Sequence, residues 1–257
     1  MNEVNKTLYI PLFGKSFVSK KGIIINDKKA EEIWDEVNFK LKSKSKSKYL
    51  AYYMGVRSSV FDSWVKDELE ENCVVIHLGC GLDSRVLRIN STSLWYDIDF
   101  PSVIEERKKY YSESNSYKMI SSDVRDSKWL DKVTKKDKAI VVLEGISMYL
   151  TNEELKELLS NISKSFNRVV LMMDCYSLLA AKLSKHKNPV KDVGVNLVYG
   201  LDDPKLVENE ELKFVKEKEI VPSKYFDELK GIEKTLFKKL YAGNFSKKLY
   251  KLYVFKK

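Results

Sequence analysis

The chain has 257 residues, 44% of them apolar, and a formal charge of +9, which excludes a disordered chain and leaves room for a sizeable core. No apolar run approaches the ~20 residues of a membrane span, and Met1-Asn2-Glu3 does not open a basic-then-apolar signal peptide, so the expected location is cytoplasmic with no membrane partner. The positive charge is lysine scattered along the chain with one cluster at Lys40 to Lys48; a nucleic-acid surface gathers arginine and aromatics into a stripe, so the composition argues against such a partner.

Residues 1 to 22 read as irregular, but Leu8-Tyr9-Ile10-Pro11-Leu12-Phe13-Gly14 is too apolar for a free tail and is expected to pack on the body. A helix opens after Asn26 or Asp27, either of which caps it well. Lys42 to Lys48 alternates lysine and serine and buries nothing, so it reads as a mobile loop. From Tyr49 to Leu69 apolar residues recur at three and four, which predicts a long helix. Arg57 falls on its apolar face, where a cation must meet an anion. That anion is either an internal acid or the carboxylate of a ligand.

Val74-Val75-Ile76-His77-Leu78 is a short apolar run that stops at Gly79-Cys80-Gly81, as a buried parallel strand does at a tight turn. Without Cβ atoms the turn lets backbone approach a ligand. Twenty residues after Gly79 a second run ends in Asp99, a carboxylate placed to accept from both ribose hydroxyls of a nucleotide-like ligand. Ser84 stands where a dinucleotide site has its third glycine, and Asp83 would repel a pyrophosphate. A ribose cofactor without phosphates fits better, and S-adenosylmethionine is the common one.

Helices are predicted from Leu82 to Ile89 and from Pro101 to Tyr111, with proline early in the second. Tyr117 to Ile120 is a third strand, followed by Ser121-Ser122-Asp123. Ala139 to Leu143 is a fourth, ending in Glu144-Gly145. Thr151 with Glu154 at capping-box spacing starts a helix over Asn152 to Phe166, and Arg168 to Asp174 is a fifth strand. Alternation of this kind makes a parallel α/β sheet with ligands beyond the strands' carboxyl ends. Acids close three successive runs there: Asp99, Asp123 and Glu144. Residues 182 to 210 read as an insertion with turns at Asn188-Pro189 and Gly200 to Pro204, and Phe214 to Ile220 and Leu249 to Phe255 alternate as an antiparallel edge pair. Cys73, Cys80 and Cys175 form neither a zinc nor a disulfide pattern. His77, inside a strand, reads as a satisfied core histidine; with His186 the only other histidine, no metal site is expected.

Gly79-x-Gly81-x-Asp83-Ser84-Arg85, Asp97-x-Asp99-x-Pro101, Asp123-Val124-Arg125 and Glu144-Gly145-x-x-Met148-Tyr149-Leu150 follow one another at family spacing, as does Pro11-Leu12-Phe13-Gly14. Over most of residues 7 to 175 the chain resembles the leucine carboxyl methyltransferase family, on its bacterial branch of tetracenomycin-type carboxyl O-methyltransferases. The resemblance implies a class I methyltransferase, a Rossmann-like α/β fold. Its seven-stranded, mostly parallel sheet has the last strand antiparallel, helices on both faces, an N-terminal helical cap and a C-terminal insertion. It implies one domain over 1–257: arm and cap at 1–70, cofactor-binding core at 71–180, substrate-side insertion and terminal strands at 181–257.

The same resemblance implies roles. Arg57 holds the methionine carboxylate and faces the substrate; Gly79 and Gly81 form the cofactor loop; Asp99 takes the ribose. Asp123 and Val124 contact adenine through side chain and backbone N–H, Glu144 lies near the methionine amino group, and Tyr149 lies close to the transferred methyl. Asp97 and Gly145, inside the matching motifs, complete the cofactor-binding set. The chain departs from the family pattern at Asp97 (usually Glu), Ser84 (more often Thr) and Cys80. The implied activity is methylation of a small-molecule carboxylate by S-adenosylmethionine, giving S-adenosylhomocysteine, without a metal. A carboxylate is already ionised and needs no general base. The rival readings are an RNA or protein methyltransferase using the basic surface, and a catalytically silent cofactor-binding protein. Monomer and homodimer both stay open.

Overall fold

A computed structural model describes residues 5–42, 44–184 and 197–257. The stretch expected to be irregular is helical: a 3-10 turn over Asn5–Leu8 runs into α1 (Tyr9–Lys20). Pro11 and Gly14 read as helix breakers, yet neither breaks it. Pro11 sits in the first turn, where the backbone N–H has no helical partner to lose. Gly14 is a contact point, since a Cβ there would lie 2.7 Å from Met54 Cβ. α2 (Lys28–Glu36) starts after Asp27, whose carboxylate accepts from the Ala30 N–H at 2.9 Å. Lys44 to Lys46 form a turn with Ser45 buried inside it, which corrects the picture of a fully solvated loop; Ser43 lies outside the described residues. α3 (Lys48–Glu68) is the long helix, and Arg57 is buried on it.

The core then alternates as expected: β1 (Cys73–Leu78), α4 (Arg85–Ile89), β2 (Leu94–Asp99), α5 (Pro101–Arg107), β3 (Tyr117–Ser121), β4 (Lys138–Leu143), α6 (Asn152–Ser165), β5 (Arg168–Tyr176) and α7 (Leu178–Ser184). α4 starts later than expected because Leu82 to Ser84 remain part of the loop, with the Asp83 carboxylate accepting from the Arg85 N–H at 2.8 Å. The Thr151 and Glu154 capping box is present in both directions. Residues 185–196, and with them His186 and the Asn188-Pro189 turn, lie outside the described residues. β6 (Lys213–Glu217), α8 (Gly231–Phe237), a π-helical turn at Lys238–Ala242, α9 (Asn244–Leu249) and β7 (Tyr250–Lys256) complete the chain.

The seven strands lie in the order β3-β2-β1-β4-β5-β7-β6. β1 to β5 are parallel, and β7 inserts antiparallel between β5 and β6. Strand alternation splits the core into two layers. Val74, Ile76, Leu78, Val141, Leu143 and Leu171 pack against α6. Val75, Ile140, Val142, Met172 and Val254 pack on the side of α1 and α3. That second face is where parity also sends His77, Asp97, Asp99, Glu144 and Asp174, so α3 brings Arg57 onto a row of acids.

Candidate active site

Strand order reverses between β1 and β4, and a cleft of about 960 Å³ opens beyond their carboxyl ends. That is the upper end of the ~300–1,000 Å³ typical of small-molecule sites. Gly79 and Gly81 line it with φ of +65° and +52°. At Gly79 any side chain is strained by the backbone, and a Cβ would fall 2.1 Å from Ile146 Cγ2, which would have to move. Asp99 ends β2 beside this loop. One carboxylate oxygen accepts from the Gly81 N–H and the other from the Phe100 N–H, each at 2.8 Å. Burial pushes this carboxyl up, against the pull of those two N–H groups. Its remaining lone pairs are available to hydroxyl donors in the cleft.

Asp97 does not line the cleft, and its place in the expected cofactor-binding set is corrected. It lies two residues deeper on β2, fully buried, and accepts from Trp95 Nε1 at 2.9 Å, from the Tyr117 hydroxyl at 2.8 Å and from Arg107 Nη2. Its charge is spent anchoring α5 to the sheet. Asp123 and Val124 do line the cleft after β3. The Asp123 carboxylate is held by Arg125 Nη2 at 2.6 Å, which keeps its pKa below the usual range, and Arg125 continues to Glu154 at 3.1 Å.

Arg57, Glu144, Gly145 and Tyr149 meet across the cleft floor. Arg57 donates from Nε to Glu144 at 2.9 Å and from Nη1 to Asp174 at 3.1 Å, with the Tyr250 hydroxyl 3.3 Å from Nη1. The anion facing Arg57 is therefore internal, the alternative that the sequence leaves open. Burial alone would raise the Glu144 carboxyl, but Arg85 and then Arg57 overcome it and hold it at about 2. Asp174 goes the other way: burial raises it, and Glu144 outweighs part of what Arg57 gives back. Gly145 donates its N–H to Asp174 at 2.7 Å with φ +77°. Tyr149 lies on a 3-10 turn after β4, hydrogen-bonded to Thr7, its hydroxyl raised by burial.

Several groups of the site escape a reading of the sequence. Lys15 of α1 lines the cleft, buried, 2.9 Å from Asp83. Arg88 at 2.9 Å and Arg85 at 3.6 Å also face Asp83, so the acid after the glycine loop is neutralised and its expected repulsion of phosphate loses force. Asp174 ends an apolar run just as Asp99 and Glu144 do, and that signal was available. His77 lines the cleft too, with Nε2 at 3.3 Å from Arg85 Nη1 and Nδ1 at 3.3 Å from Asp97. A guanidinium only donates, so Nε2 is its acceptor, while Nδ1 makes no hydrogen bond among the described residues. Among the described residues no cluster of histidine, cysteine or acid is arranged to hold a metal, and no helix is long and apolar enough to cross a membrane.

The model of the leucine carboxyl methyltransferase family matches residues 3–163, more than half the chain. The tetracenomycin polyketide synthesis O-methyltransferase TcmP of Streptomyces glaucescens is 27% identical over 220 residues, 82% of this chain and 80% of that protein. The S-adenosyl-L-methionine-dependent methyltransferase dpfgK of Gibberella zeae is 27% identical over 229 residues, 79% and 77% of the two chains. The fold is similar to that of magnesium protoporphyrin IX methyltransferase (ChlM) from Synechocystis PCC 6803 with bound SAH. The TM-score is 0.53 at 12% identity, over 90% of this chain and 93% of that one. The architecture is the Rossmann-like α/β fold of class I methyltransferases. The chain belongs to the leucine carboxyl methyltransferase family and is an S-adenosylmethionine-dependent methyltransferase.

Proposed function

We propose that the protein methylates a carboxylate oxygen of a small molecule. The observation that carries this reading is a single cleft with the Gly79–Gly81 loop and Asp99 at one end and Arg57, Tyr149 and Tyr250 at the other, whose one described histidine has its Nε2 turned to Arg85. Such a site suits an acceptor that arrives ionised and needs no base. The O-methyltransferase activity in the name of TcmP supports oxygen as the accepting atom.

The residues present fit S-adenosylmethionine. The glycine loop lines the cleft with Gly79 and Gly81 in left-handed backbone conformations, and Asp99 keeps lone pairs for the ribose hydroxyls. Lys15 and Arg57 are the cations for a methionine carboxylate, and ionised Glu144 is the anion for its amino group. Asp123 and the Val124 backbone are the candidates for the adenine edge. When bound, the cofactor would supply a methyl group on sulfonium sulfur for transfer to the ionised carboxylate oxygen, with S-adenosylhomocysteine as the other product. The chain's own part is to align the reactants and exclude water. Arg57 orients the acceptor end while Glu144 and Asp174 hold Arg57 itself.

Calorimetric titration should show binding of S-adenosylmethionine and S-adenosylhomocysteine and none of NAD. Asp99→Ala should weaken that binding ten- to a hundredfold, the worth of charged hydrogen bonds, and Asp97→Ala should weaken it less. Methyl-labelled cofactor incubated with host-cell extract should then give a product that releases labelled methanol in mild alkali, as a methyl ester does. An alkali-stable label would mean an ether or amine product and would reject the carboxylate.

A further inference from the structure

The end of the cleft away from the glycine loop is built by the last third of the chain. α7 brings Leu183 to it, the π-helical turn brings Leu240, and α9 brings Phe245. These three side chains are 44%, 52% and 62% exposed. Single exposed apolar residues are ordinary, but these converge on one opening and line the same cavity as Arg57. Behind them the wall is aromatic. Tyr53 stacks on Tyr241 with ring centres 5.0 Å apart and meets Tyr250 edge-on at 5.7 Å. Tyr53 lies on α3 one turn before Arg57. Its hydroxyl is buried and has no hydrogen-bond partner among the described residues. A buried hydroxyl left unpaired is costly, and a phenol in that position lacks an acceptor oxygen.

We infer that this end of the cleft is the acceptor subsite and that it takes an amphipathic acid. The head oxygen accepts a hydrogen bond from Tyr53 beside Arg57, and an apolar body of several carbons runs out past Leu240 and Phe245. The inference rests on the methyl-transfer reading above and adds to it the chemical class of the acceptor. A second copy of the chain laid on the rim would cover Leu240 and Phe245 but would leave the Tyr53 hydroxyl unpaired, so the occupant that satisfies both observations is a small molecule.

The test is calorimetric titration of the protein, saturated with S-adenosylhomocysteine, with butanoate, hexanoate, octanoate and decanoate at neutral pH. Affinity should rise about fourfold per added methylene, the worth of burying one. The double variant Leu240→Ser/Phe245→Ser should flatten that rise. Leu206→Ser, an equally exposed leucine outside the cleft, should leave it intact. Tyr53→Phe should lower affinity for every member by about tenfold or more while the slope survives. Both serine positions are on the surface, so melting temperature and S-adenosylhomocysteine affinity should match wild type and show that the fold is kept. Retained S-adenosylhomocysteine binding with a flat series, or with a slope the double variant does not change, overturns this inference alone. Self-association of the wild type that the double variant abolishes gives the rim to a second copy and also overturns it. Failure to bind S-adenosylhomocysteine overturns the methyl-transfer reading, and this inference with it.

Discussion

Arg57 shows what a single residue's surroundings decide. Helix periodicity places it inward and requires an anion, but does not say which. The family resemblance implies the cofactor carboxylate. The structure instead has Glu144 and Asp174 on the guanidinium. Arg57→Ala therefore leaves two buried carboxylates without their cation, a loss of about 3–5 kcal/mol. The melting temperature of the protein alone should fall by on the order of 10 °C. Arg57→Lys should recover only part of that, because an ammonium cannot reach both acids with a planar fork. An unchanged melting temperature for Arg57→Ala, read by differential scanning calorimetry without cofactor, would mean that the pair with Glu144 contributes nothing to folding.

Among the elements, α1 is the one whose existence depends on a partner. Proline and glycine lower its intrinsic helicity, and what stabilises it is its contact with α3, made at small residues on both sides. A Cβ on Gly14 would lie 2.7 Å from Met54 Cβ, and one on Gly55 would lie 2.8 Å from Val18 Cγ2. Elsewhere glycine to alanine in a helix gains up to ~1 kcal/mol. At Gly14 overpacking should outweigh this, giving a net loss of about 1–2 kcal/mol, seen as a lower urea midpoint with unchanged slope. Because α1 carries Lys15 and its leading turn carries Thr7 and Leu8 over the glycine loop, the same variant should also weaken cofactor binding. A higher midpoint for Gly14→Ala would show that the two helices have slack between them.

At the scale of the molecule, the face of the sheet under α1 and α3 is an ionic core. Asp27, Asp62, Asp83, Glu144 and Asp174 interlock there with Lys15, Arg57, Arg85 and Arg88. Its response to acid follows from the direction of each shift. Glu144 has its folded pKa depressed from 4.5 to about 2, so its contribution is complete above pH 4.5 and is lost as pH falls through 2. A shift of that size corresponds to about 3 kcal/mol. Asp174 and Asp99 are raised, so theirs is complete below their ordinary value of 3.8 and declines as pH rises through the folded pKa. Urea unfolding followed from pH 6 to pH 2 should show wild type losing stability faster than Glu144→Gln below pH 4.5. Parallel curves would place the acid-sensitive group elsewhere.

What the sequence determined by itself is local. Short apolar runs set β1, β2, β4 and β5, Thr151 with Glu154 set the start of α6, and Gly79, Gly81 and the acid ending β2 mark the cofactor end of the cleft. Each of these depends on residues within a few positions of one another. What only the tertiary structure decided is which groups meet. Asp97 and Asp99 share a face and a strand, and depth alone sends one to Arg107 and the other to the cleft. α1 is a helix because α3 lies against it. Arg57 finds Glu144 87 residues away, Asp174 117 away and Tyr250 193 away. Those separations close only when the strand order β1-β4-β5-β7 is formed, and no local pattern encodes that order.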